Sequence, residues 1–198
     1  MRVDVYFTRA EVESATLGEA TAVVIDVIRA TTTIVEALAN GAVGVYPTAS
    51  AEDAAKLAAS LGREDAVLCG ERRGVKVDGF DLGNSPAEFT TEVVDGKKLV
   101  MSTTNGTRAI ASASEAERVL VCAFTNLGAV ATAVAADETL AVICSGRQDQ
   151  FSIEDALCAG YLIRRITEGE TGTLELNDAA RAAQALAEKL SPDRTFLE

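Results

Sequence analysis

Histidine and tryptophan are absent from this 198-residue sequence, and cysteine and proline are sparse. Without histidine there is no Ser-His-Asp triad, no Cys-His pair, no phosphohistidine and no His-ligated zinc. The four cysteines, Cys69, Cys122, Cys144 and Cys158, show no C-x-x-C spacing. The first three lie inside or at the end of apolar runs and read as small buried hydrophobes rather than metal or redox ligands. Long apolar runs are also missing. Asp26, Arg29 and Glu36 interrupt the most hydrophobic region, well short of the ~18 consecutive apolar residues of a bilayer span. The first ten residues carry Arg2, Asp4 and Arg9 among strand formers and do not resemble a signal peptide. The expectation is a soluble, cytoplasmic protein. Positive charge is in deficit, 18 Lys and Arg against 30 Asp and Glu for a formal charge of −12, which argues against nucleic acid or an anionic membrane as partner. What remains for chemistry is carboxylates, hydroxyls, arginines, backbone amides and a hard cation.

The length suits a single domain with a substantial core, and β-branched runs alternate with alanine-rich stretches along all of it. Strands are predicted at 3–7, 22–28, 43–47, 66–70, 98–102, 118–123 and 140–145. Helices are predicted at 31–40, 50–61, 107–114, 127–136, from Ser152 to about Thr167, and at 178–190. The continuous apolar run Ala22 to Ile28 is the pattern of a strand covered on both faces. Ser50 caps a helix that Gly62 ends. Residues 71–86, with three glycines and alternating Val75, Val77 and Phe80, read as a small hairpin excursion. The alternation implies one α/β domain over 1–198, a three-layer α/β/α sandwich with a mostly parallel or mixed central sheet. Ligands of such sheets bind beyond the carboxyl ends of the strands.

Four strand-to-helix junctions carry polar residues there. The first, Asp26-Val27-Ile28-Arg29-Ala30-Thr31-Thr32-Thr33, puts a carboxylate at an apolar strand end, then an arginine, then three hydroxyls where a helix begins. Arg29 with Thr31, Thr32 and Thr33 makes a plausible oxyanion or phosphate cradle, with helix capping and an Asp26–Arg29 pair as the plainer alternative. The second, Gly70-Glu71-Arg72-Arg73-Gly74, offers Glu71 for a hard cation and Arg72 for an anion, although a solvated loop explains it equally well. The third, Ser102-Thr103-Thr104-Asn105-Gly106-Thr107-Arg108, repeats the first: hydroxyls, a glycine permitting close backbone approach, then an arginine. The alternative, an Asn-Gly hairpin turn, usually joins two strands, whereas a helix pattern follows here. The fourth runs from Ser145-Gly146-Arg147 to Ser152-Ile153-Glu154-Asp155. Its acidic residues complement a helix dipole, or else one reaches a cation shared with Asp26.

There is no G-x-x-x-x-G-K-[ST] and no G-x-G-x-x-G, and the D-x-D pair of haloacid-dehalogenase-type phosphatases is absent because Ile28 stands two after Asp26. The strings Val24-Ile25-Asp26-Val27-Ile28-Arg29-Ala30-Thr31-Thr32, Gly70-Glu71-Arg72-Arg73-Gly74, Asp81-Leu82-Gly83-Asn84-Ser85-Pro86, Thr103-Thr104-Asn105-Gly106-Thr107-Arg108 and Phe151-Ser152-Ile153-Glu154-Asp155 resemble the 2-phosphosulfolactate phosphatase family. They occur in order over most of the chain. Members of that family continue beyond the position of Glu198, so the resemblance implies that a closing segment is missing here.

The resemblance implies a Mg²⁺-dependent phosphatase of α/β/α fold that hydrolyses (R)-2-phospho-3-sulfolactate to (R)-3-sulfolactate and phosphate, as in coenzyme M biosynthesis. Three anionic groups on one small substrate would explain several arginines converging in an acidic protein. On this reading Asp26 holds Mg²⁺ with one or more of Glu71, Glu154 and Asp155. Arg29, Arg72 and Arg108, with the amides around Thr31 and Gly106, stabilise charge on the phosphoryl oxygens. Asp81 or Glu154 protonates the leaving oxygen. Thr31, Thr32, Asn84, Ser85, Thr104, Asn105, Gly106, Thr107 and Arg147 complete the substrate-binding set. A covalent aspartyl-phosphate on Asp26 is the mechanistic alternative. Functional alternatives are a phosphatase of another small 2-phospho-acid and a non-catalytic binding module for phosphorylated or sulfonated acids. A homodimer is left open as the assembly.

Overall fold

The computed structural model describes residues 1–12, 17–62, 64–169 and 173–190. The chain runs β1 (Arg2–Tyr6), α1 (Arg9–Val12), β2 (Thr21–Ile25), α2 (Ala30–Ala39), β3 (Gly44–Pro47), α3 (Ala51–Leu61), β4 (Ala66–Arg72) and β5 (Val75–Lys76). A 3₁₀ turn at Pro86–Glu88 leads to α4 (Thr91–Val94), β6 (Lys98–Ser102), α5 (Gly106–Ser112), β7 (Arg118–Cys122), α6 (Leu127–Ala133) and β8 (Thr139–Cys144). Then come α7 (Ile153–Gly169), β9 (Glu175–Leu176) and α8 (Asp178–Lys189).

The strands form two sheets. The larger is parallel, in the order β7-β2-β8-β1-β9; the smaller has the order β3-β6-β4-β5, parallel except for the β4–β5 hairpin. Alternation along the strands of the larger sheet decides which helices cover which face. Val3, Val5, Val23, Ile25, Leu140 and Val142 pack under α6, α7 and α8. Ala22, Val24, Ala141 and Ile143 face α1 and α5. That is the three-layer α/β sandwich. The smaller sheet is sandwiched in the same way: Leu68 and Val100 pack on Ala54 and Ala58 of α3, while Cys69, Leu99 and Met101 pack with Ile34 and Ala37 of α2. All four cysteines are buried and free; burial pushes the thiols of Cys69 and Cys144 up, and a hydrogen bond with Cys122 together with burial does so for Cys158, as for inert core residues.

Helix ends follow local chemistry. Ser50 caps α3 by accepting the Asp53 N–H, and Asn177 caps α8 by accepting the Ala180 N–H. One strand is shorter than its apolar pattern suggests. β2 stops at Ile25 because the next two amides are taken elsewhere: the Asp26 N–H donates to Thr31 Oγ1 and the Val27 N–H to Asp155 Oδ1. With those donors occupied the ladder cannot continue, and Asp26 is turned out at the strand end. Among the described residues, no helix is long and apolar enough to cross a membrane.

Candidate functional site

The carboxyl ends of β2 and β8 in one sheet and of β4 and β6 in the other open onto a single cleft of about 660 Å³, within the usual range for small-molecule sites. Its floor holds Asp26 and Asp155; Arg29, Arg73, Arg147 and Glu154 stand around it. A second pocket of about 480 Å³ adjoins it, sharing Arg73, Thr104, Asn105 and Gln148 and adding Arg108 and Asp149.

The loops are held by buried carboxylates. Glu71 Oε1 accepts the Thr104 N–H (2.6 Å), and Oε2 accepts the Gly74 N–H (2.7 Å) and the Thr104 hydroxyl (3.0 Å). Glu71 thereby clamps the β4–β5 hairpin to the loop after β6. Asp155 Oδ1 accepts the Val27 N–H (2.8 Å) and Oδ2 the Gly146 N–H (3.2 Å), linking the loops after β2 and β8. The Gln148 N–H reaches Asn105 Oδ1 at 3.3 Å. Among the described residues, the non-glycine positions with left-handed backbone are Arg73, Gln148 and Asp149, and all three line these pockets. Such conformations cost energy and persist where surrounding contacts enforce them.

Asp26 is buried. Burial raises its pKa, with Glu71 and Glu154 adding to the rise, while hydrogen bonds from the Ala30 N–H and from Ser145 oppose it. Asp155 is raised by burial and by the charge of Asp26. Four guanidiniums line the two pockets, Arg29, Arg73 and Arg147 in the cleft with these acids and Arg108 in the adjoining one, and none has a side-chain hydrogen bond or ion pair to any described residue.

Several residues expected at the site are turned to other work. The Thr31, Thr32 and Thr33 hydroxyls donate to the carbonyls of Asp26, Val27 and Asn84, and the Thr31 N–H to the Asp26 carbonyl; they tie the loop after β2 together rather than cap α2, whose N-cap is Arg29 with no side-chain cap bond. Arg72 points away from the cleft and donates to the Glu71 carbonyl (2.7 Å) and Ser102 Oγ (2.8 Å), because consecutive strand residues face opposite sides. Its neighbour Arg73, which the sequence reading passed over, lines the cleft instead. Asp81 lies outside and accepts the Leu68 N–H (2.8 Å). Ser85 belongs to a capping box with Glu88, and Thr107 bonds back to Thr103. Arg108 stands in the adjoining pocket. Asn84, Thr104, Asn105 and Arg147 line the cleft. Asn84 is buried there, with its Oδ1 unpartnered among the described residues. Gly106 has no room for a side chain: a Cβ would meet the Ala30 methyl and lie 2.5 Å from Asp26 Oδ2.

Among the described residues, no group of three or more carboxylates or thiols is placed to hold a metal ion unaided. Mg²⁺ is commonly bound through one or two carboxylates, with substrate phosphate and water completing its shell. Asp26 offers hard oxygens without a cationic side-chain partner among the described residues, and burial of its charge would be relieved by a cation, so one carboxylate completed by substrate phosphate fits.

The comparisons with known proteins agree on one family. The family model described as 2-phosphosulpholactate phosphatase matches residues 6–197. The chain is 41% identical over 202 residues to a probable 2-phosphosulfolactate phosphatase of Clostridium perfringens, covering all of this chain and 81% of that protein. It is 40% identical to a protein of the same description from Clostridium acetobutylicum, over 93% of this chain and 78% of that one. One from Thermotoga petrophila is 42% identical over 88% of this chain and 72% of that one. With a model match over almost its whole length, this chain belongs to the 2-phosphosulpholactate phosphatase family and is an enzyme of the phosphoric monoester hydrolase class.

Proposed function

We propose that the protein hydrolyses (R)-2-phospho-3-sulfolactate to (R)-3-sulfolactate and phosphate in the cytoplasm, as a step of coenzyme M biosynthesis or of a related use of sulfolactate. One observation carries this reading: in a chain of net charge −12, four guanidiniums lacking carboxylate partners among the described residues surround two connected pockets. An arginine left unneutralised in an acidic protein is held for an anion from outside, and charge-assisted contacts to oxyanions are among the stronger polar contacts available.

Arg29 and Arg147 receive the phosphoryl oxygens above Asp26 and stabilise the charge that develops on them. Asp26, fixed by the Ala30 N–H and Ser145, would hold Mg²⁺ together with the substrate's own phosphate. When bound, the cation supplies charge neutralisation at the phosphoryl group. A carboxylic acid must deliver a proton to the leaving oxygen because the chain has no histidine. Glu154 stands in the cleft and takes that role in preference to Asp81, which lies outside. Glu71 and Asp155 act as positioning residues that hold the loops.

The test is a panel of 2-phospho-acids, with and without a sulfonate, assayed for phosphate release in Mg²⁺ and in EDTA. Fastest turnover of the sulfonated member in Mg²⁺ is expected. Turnover of none of them would remove the reading, and ligand binding without turnover would leave a binding module in its place.

A further inference from the structure

Building on that reading, we propose that the pocket containing Arg73 and Arg108 is the sulfonate subsite, and that Arg108 sets selectivity for sulfonated over unsulfonated 2-phospho-acids. The two pockets differ in their acids. The main cleft holds Asp26, Glu71, Glu154 and Asp155, and a reacting phosphoryl group needs carboxyl chemistry close by. Among the described residues, Asp149 is the sole acidic one lining the adjoining pocket. That carboxylate is already neutralised by Arg9, with Oδ1 at 2.7 Å from Nε and Oδ2 at 3.0 Å from an Nη.

The pocket thus presents Arg73 and Arg108 against neutral groups of Thr104, Asn105 and Gln148. This is a site for a permanently charged anion that takes no part in proton transfer. A sulfonate fits that description: it is ionised at every physiological pH and offers three acceptor oxygens to forked guanidinium donors. Arg73 lines both pockets, so one molecule can place its phosphate in the first and its sulfonate in the second. The left-handed backbone at Arg73, Gln148 and Asp149 and the bond from the Arg73 N–H to Thr104 Oγ1 (3.0 Å) fix the partition between them.

The substrate's carboxylate is the competing anion, and three phosphate esters separate the cases: 2-phospho-3-sulfolactate, 2-phospholactate without the sulfonate, and the phosphate ester of 2-hydroxyethanesulfonate without the carboxylate. In Arg108→Gln, the ratio of kcat/KM for 2-phospho-3-sulfolactate over 2-phospholactate should fall at least about tenfold. The ester lacking the carboxylate should lose kcat/KM in parallel with the full substrate. Arg29→Gln should lower all three together and leave the ratio within about twofold. Arg108 is exposed and has no side-chain partner among the described residues, so an unchanged melting temperature is expected. An unchanged ratio in Arg108→Gln would overturn the assignment, as would selective loss of the carboxylate-bearing ester. Failure of the wild type to hydrolyse any of the three would instead sink the phosphatase reading itself.

Discussion

Asp155, at the start of α7, accepts the Val27 N–H at 2.8 Å across 128 residues of sequence. Its other oxygen accepts the Gly146 N–H at 3.2 Å. The residue therefore sets the position of Asp26, next to Val27, relative to the loop that carries Arg147. Replacing it with alanine strands two buried backbone donors, each costing about 1–3 kcal/mol. Chemical denaturation of Asp155→Ala should show a loss of about 2–5 kcal/mol, with a smaller loss for Asp155→Asn, which keeps one acceptor. A variant as stable as wild type would show that the two loops hold themselves.

The same residues give stability a distinctive pH dependence. Asp26 is raised to about 6 and Asp155 to about 8, so the folded protein binds these protons more tightly than the unfolded chain does. Their contribution is fully present below about pH 4, the unfolded carboxylate value, and is lost as pH rises through 6 and then 8. Denaturant midpoints measured without metal should fall between pH 5 and pH 8. Asp155→Asn should flatten the upper part of that decline; an identical slope in the variant would assign it to other groups.

Gly106 occupies the point where α5 passes Ala30 and Asp26, and an added Cβ would meet both. Gly106→Ala should cost about 1–3 kcal/mol, as overpacking of a tight contact does. It should also reduce kcat by more than tenfold, because Asp26 has to shift. Wild-type activity in this variant would mean that Asp26 tolerates displacement.

Arg72 and Arg73 are adjacent and should behave as opposites. Arg73→Ala should lower kcat/KM by about 10- to 100-fold with little change in melting temperature, since its guanidinium meets no described partner. Arg72→Ala should chiefly destabilise, by about 1 kcal/mol or more, through loss of the bonds to Ser102 and the Glu71 carbonyl. Steady-state kinetics and thermal unfolding on the two variants check the assignment, and a reversed pattern would exchange their roles.

Phosphate release should stop in EDTA and return with Mg²⁺. In Asp26→Asn, excess Mg²⁺ should recover part of the rate if Asp26 holds the cation. Phosphate found on Asp26 by mass spectrometry during wild-type turnover would make it a nucleophile instead.

The strand-and-helix alternation could be read from residue pattern because buried parallel strands and capped amphipathic helices carry local signals. Lys98–Ser102 was delimited to the residue, and Ser50 with Gly62 marked the ends of α3. The short elements, α1, α4 and β9, are too brief to show a period. The division into two sheets was not visible either, since strand order is a matter of long-range pairing.

At the site, the available chemistry follows from residue types alone: carboxylates and arginines at strand ends, with no histidine to assist them. The sequence also placed Asp26, Arg29, Glu154 and Asp155 at junctions that do meet in one cleft. Which polar groups face that cleft depends on how the folded chain packs. Thr31, Thr32, Thr107 and Arg72 were expected to contact ligand and are instead taken up by backbone carbonyls and a buried serine, because a polar group that folds inward must find a partner there. Arg73, one residue on, is held outward by a left-handed backbone that no residue pattern announces. Composition can say that an acidic chain has arginines near its strand ends, but whether each is neutralised depends on neighbours brought in from distant segments.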